Sequence, residues 1–189
     1  MRVIDFTAPA EIRSVLIHGL NNTGKTHLLG SMLAIEKQYG TVVYVGVEGE
    51  PNNSLYAHDL TGVELLEIET IDDITPLANR LEHVHAIAFD SVQRLGELAA
   101  DKITAGKYVV GTKEDGPHAH GKDWLKLKGE VFRALMALQR VSDLLVAVCP
   151  SNLHENQITH QVRIIPDVPG IGEKLAGRFN FVGYMETTT

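Results

Sequence analysis

Residues 14–40 read SVLIHGLNNTGKTHLLGSMLAIEKQYG. The opening SVLIHG is a short, mainly apolar run that ends in glycine, the pattern of a buried strand. From about Lys25 to Tyr39 the spacing turns helical. Leu28, Met32, Ile35 and Tyr39 share one face, Leu29 and Leu33 sit beside them, and Gly40 is a stop. Between strand and helix, Gly19-Leu20-Asn21-Asn22-Thr23-Gly24-Lys25-Thr26 matches G-x-x-x-x-G-K-[ST]. The chemistry of phosphate binding needs these residue types in this order. Glycines let the backbone curl so that successive N–H groups face phosphate oxygens. The helix N-terminus adds a partial positive charge. Lys25 is placed to reach the β- and γ-phosphates, and the Thr26 hydroxyl to ligate Mg²⁺. His27 closes the stretch expected to hold the nucleotide, ATP with Mg²⁺. The bland alternative is an accidental glycine turn at a helix start. By chance the pattern arises in on the order of one such chain in a hundred, and here it also has the strand before it and the helix after it.

Further along, TVVYVGV (41–47), VELLEI (63–68) and HAIAFD (85–90) are strand candidates, as are DLLVAVC (143–149), QVRII (161–165) and FVGYM (181–185). Helices are expected over Ile71–Glu82, despite Pro76, and from Val92 with Leu95, Leu98, Ala99 and Ile103 as its apolar stripe. Another is expected from Asp123, as N-cap, to Val141, with Trp124, Leu127, Val131, Leu135 and Leu138 toward the core. Residues 106–122 read as a long polar, glycine-rich loop. Strands that are continuous apolar runs, alternating with helices, imply an α/β fold: a mostly parallel sheet with helices on both faces, in three layers. Ligands of such sheets bind beyond the carboxyl ends of the strands.

Two of those ends carry acids. Asp90 closes HAIAFD, where a carboxylate can hold Mg²⁺ opposite Thr26. Asp90 or Ser91 could instead cap the helix that starts near Val92. Glu48 follows TVVYVGV and could take a proton from the water that attacks the γ-phosphate. Glu50 is a close rival for that role, and a plain solvated acid is the alternative to both. Pro150, Ser151, Asn152 and His154 end another strand and could sense the γ-phosphate. His118, His120, His154, His160 and Cys149 match no structural zinc spacing, and no G-x-S-x-G elbow exists.

The 189 residues suit one domain spanning 1–189, and 44% apolar with 22% charged residues is ordinary for a globular chain. One cysteine excludes an internal disulfide. The start MRVIDFTAPAEIRS lacks the apolar run of a signal peptide, and no stretch approaches a membrane span. A cytoplasmic protein without a membrane partner is the expectation. Net charge is -7, which argues against a uniformly basic nucleic-acid binder. Residues 1–100 hold 6 Lys/Arg against 14 Asp/Glu, and residues 101–189 hold 11 against 10. Contact with nucleic acid is therefore expected in the second half, if anywhere.

These residues resemble the RecA-like branch of the P-loop NTPases. VVYVGVEGE is similar to the strand whose terminal Glu is that family's catalytic base, here Glu48, with Lys25 as its catalytic partner on the phosphate loop. AIAFDSV resembles the metal-site strand and maps to Asp90 and Ser91. The layout is most similar to small phage-type AAA-domain nucleotide-binding proteins, some of which are RecA-core single-strand annealing proteins. IIPDVPGIGEKLAGRFNFVGYM resembles their closing segment. The likeness covers most of residues 12–186. GLNNTGKT departs from GPPGTGKT-like loops, with Asn21 and Asn22 in place of small or rigid residues. The resemblance implies a three-layer P-loop NTPase fold and an ATPase of phage-type recombination or replication. It also implies single-stranded DNA as partner, assembly as a homo-oligomer, and, for a phage-encoded protein, the host cytoplasm. A nucleotide-switched binding module is the alternative. A small-molecule kinase is a third, but its lid would want arginines, and 106–122 offers only Lys107, Lys113 and Lys122.

Overall fold

The computed structural model describes residues 13–49, 53–104, 121–155, 162–168 and 171–186. The apolar runs become strands β1 (Ser14–Gly19), β2 (Val42–Val47), β3 (Glu64–Ile68) and β4 (Val84–Asp90), followed by β5 (Ser142–Glu155), β6 (Val162–Pro166) and β7 (Phe181–Met185). The helices are α1 (Lys25–Glu36), α2 (Ile74–Arg80), α3 (Val92–Thr104), α4 (Gly121–Arg140) and the short α5 (Gly172–Leu175). The sheet order is β3-β2-β4-β5-β1-β7, every neighbour on this path is parallel, and β6 pairs antiparallel with the far part of β5. β5 thus lies between the strand that feeds the phosphate loop and the strand that ends at Asp90.

Alternation along the strands sorts two cores. Val42 and Tyr44 of β2, Ala86 and Ala88 of β4, and Val146 and Val148 of β5 pack against Leu29 and Leu33 of α1. Val43, Val45, Ile87, Phe89, Leu145 and Ala147 point the other way, toward α2, α3 and α4. Both faces are covered, which is why all six residues of β2 are buried and the sequence shows no polar alternation there. The fold is the expected three-layer α/β sandwich of P-loop NTPase type. Among the described residues no helix is long and apolar enough to cross a membrane.

Three expectations need correction. The strand read as 143–149 runs on through Pro150 to Glu155. Pro150 marks the place where β5 leaves the parallel sheet: its register partner is Gly19 of β1, and Ser151 onward pairs with β6. A proline without an N–H is tolerated at such a change of partner. The helix expected from Asp123 begins at Gly121, so Asp123 lies inside its first turn and is not its N-cap. In α1 the buried residues are Leu29, Gly30 and Leu33, while Leu28 and Ile35 are exposed; Tyr39, expected within the helix, lies beyond its end at Glu36 and is exposed. Apolar side chains surround most of that helix, so spacing alone could not choose the inner face.

The other helices follow their patterns. Leu95 and Ala99 of α3, and Leu127, Val131, Leu135 and Leu138 of α4, are buried. The helix expected over 71–82 opens as a 3-10 turn at Ile71–Asp73 and continues as α2, with Pro76 in its first turn, where no intrahelical N–H is needed. Asp73 accepts from the N–H groups of Thr70 (2.7 Å) and Glu69 (3.1 Å), which fixes that start. The loop expected at 106–122 falls, as far as residue 120, outside the described residues.

Candidate nucleotide-phosphate site

β1 delivers its last residue, Gly19, to the carboxyl edge of the sheet, and α1 leaves from Lys25. The two loop glycines are required for different reasons. A Cβ on Gly19 would stand 2.5 Å from the Met185 carbonyl oxygen and 2.9 Å from Thr23 Oγ1, so only hydrogen fits. Gly24 caps α1 in the left-handed region at φ 86°, which a side chain would strain. Asn22 also takes a positive φ, 63°, in a region that asparagine tolerates better than most residues. This explains how GLNNTGKT turns without the usual small residues. Thr23 Oγ1 donates to Leu20 O at 2.9 Å and tightens the curl.

Lys25 Nζ donates to Gly19 O at 2.9 Å and Leu20 O at 2.8 Å, so the ammonium is held over the loop. Burial lowers the Lys25 pKa, and nearby negative charge, Asp90 included, opposes that shift. The first turn of α1 carries no acidic side chain, which leaves the field of its N-terminus open to an anion. Thr26 Oγ1 donates to Asp90 Oδ2 at 2.7 Å across β5, which separates β1 from β4. The hydroxyl and the carboxylate are hard oxygen donors on adjoining walls of one site, the donor set that Mg²⁺ takes. Burial raises the Asp90 pKa against the opposing pull of Thr26, Lys25 and Tyr44. The Asp90–Ser91 peptide is cis.

The other sequence candidates are placed as follows. Leu20, Asn21 and Asn22 are exposed on the loop. His27 is exposed too, its ring 4.3 Å from that of His58 and its Nδ1 3.1 Å from His58 Nε2. Glu48 is exposed in the turn after β2, two residues beyond Gly46, whose register partner is Asp90. Its N–H is anchored on Ile68 O at 2.9 Å. Glu50 lies outside the described residues. Ser151 Oγ meets His18 Nδ1 at 2.9 Å on the strand that feeds the loop. Cys149 is wholly buried beneath the site, where burial pushes its thiol far up and keeps it neutral.

Sequence reading missed two residues here. His18 is 8% exposed, and burial and then Lys25 lower its pKa. Tyr44 is hydrogen-bonded to Asp90 from the next strand. The one signal for Tyr44 was Gly46, a glycine inside a β-branched run.

A buried carboxylate whose pKa is raised stabilises the fold below the ordinary carboxylate range. That contribution is lost as pH rises through the raised value. With neither nucleotide nor Mg²⁺ present, burial of Asp90 therefore costs stability as pH rises above the ordinary carboxylate range. Asp90→Asn is expected to raise Tm at pH 7, because the amide carries no charge to bury. The gap should shrink at pH 4. Thermal unfolding of the two proteins without ligand tests this, and an equal or lower Tm for the variant at pH 7 counts against it.

A family model described as an AAA domain matches residues 11–189. A search among curated proteins gives no match.

Proposed function

The chain belongs to the AAA domain family, a family of nucleotide-binding ATPase type, and on that premise we propose that it is a Mg²⁺-dependent ATPase acting on single-stranded DNA in phage-type recombination or replication. The observation that carries the nucleotide part is the 2.7 Å contact of Thr26 with Asp90 beside a phosphate loop with Lys25 folded over it. Thr26 and Asp90 would hold Mg²⁺, which supplies Lewis-acid neutralisation of phosphate oxygens. The loop N–H groups bind the phosphates and fix their position. Lys25 exchanges the carbonyls of Gly19 and Leu20 for phosphate oxygens and offsets charge that develops during transfer. Glu48, beyond the end of the strand next to Asp90, accepts the proton of the water that attacks the γ-phosphorus as the bond to the β-phosphate breaks. Glu50 remains the rival for this last role.

Single-stranded DNA as partner, and assembly as a homo-oligomer, rest on the resemblance. The charge asymmetry between the two halves gives the DNA reading its physical support. The direct test is ATP hydrolysis measured with and without single-stranded DNA at low salt. Stimulation by DNA supports the full reading. Nucleotide binding without turnover under either condition would favour a nucleotide switch instead.

The DNA contact is proposed for residues 102–128, which hold Lys102, Lys107, Lys113, Lys122, Lys126, Lys128 and Trp124. Lys102 is already engaged by Asp72 at 2.6 Å and Glu130 at 3.3 Å, and Lys128 stands 5.5 Å over the Phe132 ring. Lys107 and Lys113, and the side chains of Lys122 and Trp124, lie outside the described residues. The triple change Lys107→Ala, Lys113→Ala, Lys122→Ala is expected to weaken DNA binding and to flatten its salt dependence by up to about three phosphate contacts. ATP affinity without DNA should stay the same. An unchanged salt slope would move the DNA contact elsewhere.

A further inference from the structure

Tyr44 is among the most completely buried side chains of the protein, 1% exposed, yet it lies on a strand where every other residue is aliphatic or glycine. It pairs in register with Ala88, and Gly46 pairs with Asp90, so Tyr44 and Asp90 sit diagonally on the α1 side of the sheet. Two residues of strand span about 7 Å, a distance the length of a tyrosine ring covers. The ring lies along the strand over Gly46: a Cβ on Gly46 would stand 3.0 Å from Tyr44 Cε1 and 3.4 Å from its hydroxyl oxygen. At the far end the hydroxyl is hydrogen-bonded to the Asp90 side chain. The ring also forms one wall of a cavity of about 430 Å³, which Leu55, His58, Leu65 and Glu67 help to line.

Packing alone does not call for the hydroxyl. A phenylalanine would fill the same space among Leu29, Leu33 and Leu55, the residues of its cluster. What the oxygen adds is a donor on Asp90 from the β2 side, while Thr26 donates from the α1 side. A carboxylate held from two sides has its plane fixed, and its remaining lone pairs point in a set direction. Partners behind a ligating group tune metal affinity in this way, through orientation. Gly46 is the companion feature, because a Cβ there would press on the ring and make it give by a few tenths of an ångström.

We propose that Tyr44 is a positioning residue: it orients Asp90 for the Mg²⁺ of the bound nucleotide, and Gly46 leaves room for it to do so. The inference rests on the reading of Asp90 as the metal-side carboxylate. The test is the affinity of the 189-residue protein for a fluorescent ATP analogue, titrated with Mg²⁺ and compared with the same measurement in EDTA. Tyr44→Phe is expected to raise the half-saturating Mg²⁺ concentration on the order of 10-fold, with affinity in EDTA nearly unchanged and Tm lowered by the loss of a donor to a buried carboxylate. Gly46→Ala keeps the hydroxyl but makes the ring shift. It should move the Mg²⁺ midpoint in the same direction, and Tyr44→Phe with Gly46→Ala should be no worse than Tyr44→Phe alone. A Mg²⁺ midpoint for Tyr44→Phe equal to that of the wild type would overturn the positioning role, as would equal losses with and without Mg²⁺. Wild-type nucleotide binding that ignores Mg²⁺ would overturn the Asp90 reading itself, and this inference with it.

Discussion

Lys25→Ala is expected to abolish nucleotide binding, or turnover where weak binding survives, and to leave the fold intact. The ammonium is the one side-chain cation on the phosphate loop. It makes two contacts of 2.8–2.9 Å to loop carbonyls, which phosphate oxygens can replace. Hydrogen bonds to a charged group are worth about 1.5–3 kcal/mol each, so removing the lysine should weaken binding by at least about 10²-fold. The fold should survive because the rest of the loop is set independently, by Gly24, by Gly19 and by the Thr23 bond to Leu20. Burial already penalises the charge, as its lowered pKa reports. Fluorescent-nucleotide binding, a hydrolysis assay and a melting curve together decide it. Wild-type affinity and turnover in the variant would remove the loop from the mechanism.

Glu48→Gln should separate binding from chemistry. The amide keeps the size and the place of the side chain, and the position is not on the phosphate loop, so ATP affinity should be retained. Loss of a general base costs about 10²–10⁴ in rate, and hydrolysis should fall by at least about 10²-fold. Because Glu48 is solvent-exposed in a turn, the substitution should not alter stability, and lost activity cannot then be blamed on unfolding. Normal turnover would exclude Glu48. If Glu50→Gln is the inactive variant, the base is Glu50.

The elements that were legible in the sequence are those set by local rules. The phosphate loop was readable because each of its residues answers to a backbone or phosphate requirement within eight positions. Asp90 was readable because an apolar run that ends in an acid is uncommon in a doubly covered sheet. Elements decided by tertiary partners were not. Nothing local says that β5 should continue past Pro150, since its second partner, β6, is built by residues 162–166. Nor could spacing reveal that Leu29 and Leu33, rather than Leu28 and Ile35, face inward. Tyr44 escaped notice because its role depends on the register between β2 and β4. Glu48 stood out by its place after TVVYVGV and by the resemblance of VVYVGVEGE, but position alone did not separate it from Glu50, which lies outside the described residues.

The placement of β5 has a consequence for how the chain is made. β5 is synthesised after both strands that it separates, and the pairing of Thr26 with Asp90 reaches over it, across two strand spacings or about 10 Å. A growing chain that has emerged only as far as α4 therefore holds β1 and β4 without their common neighbour. Each then offers a bare row of backbone donors and acceptors flanked by valine, leucine and phenylalanine. During that interval the nascent protein is at its most adhesive toward other chains, and no phosphate site yet exists for ligand to stabilise. Insertion of this strand covers the facing edges of β1 and β4 and brings the two halves of the site together, while the other edge of β1 waits for β7.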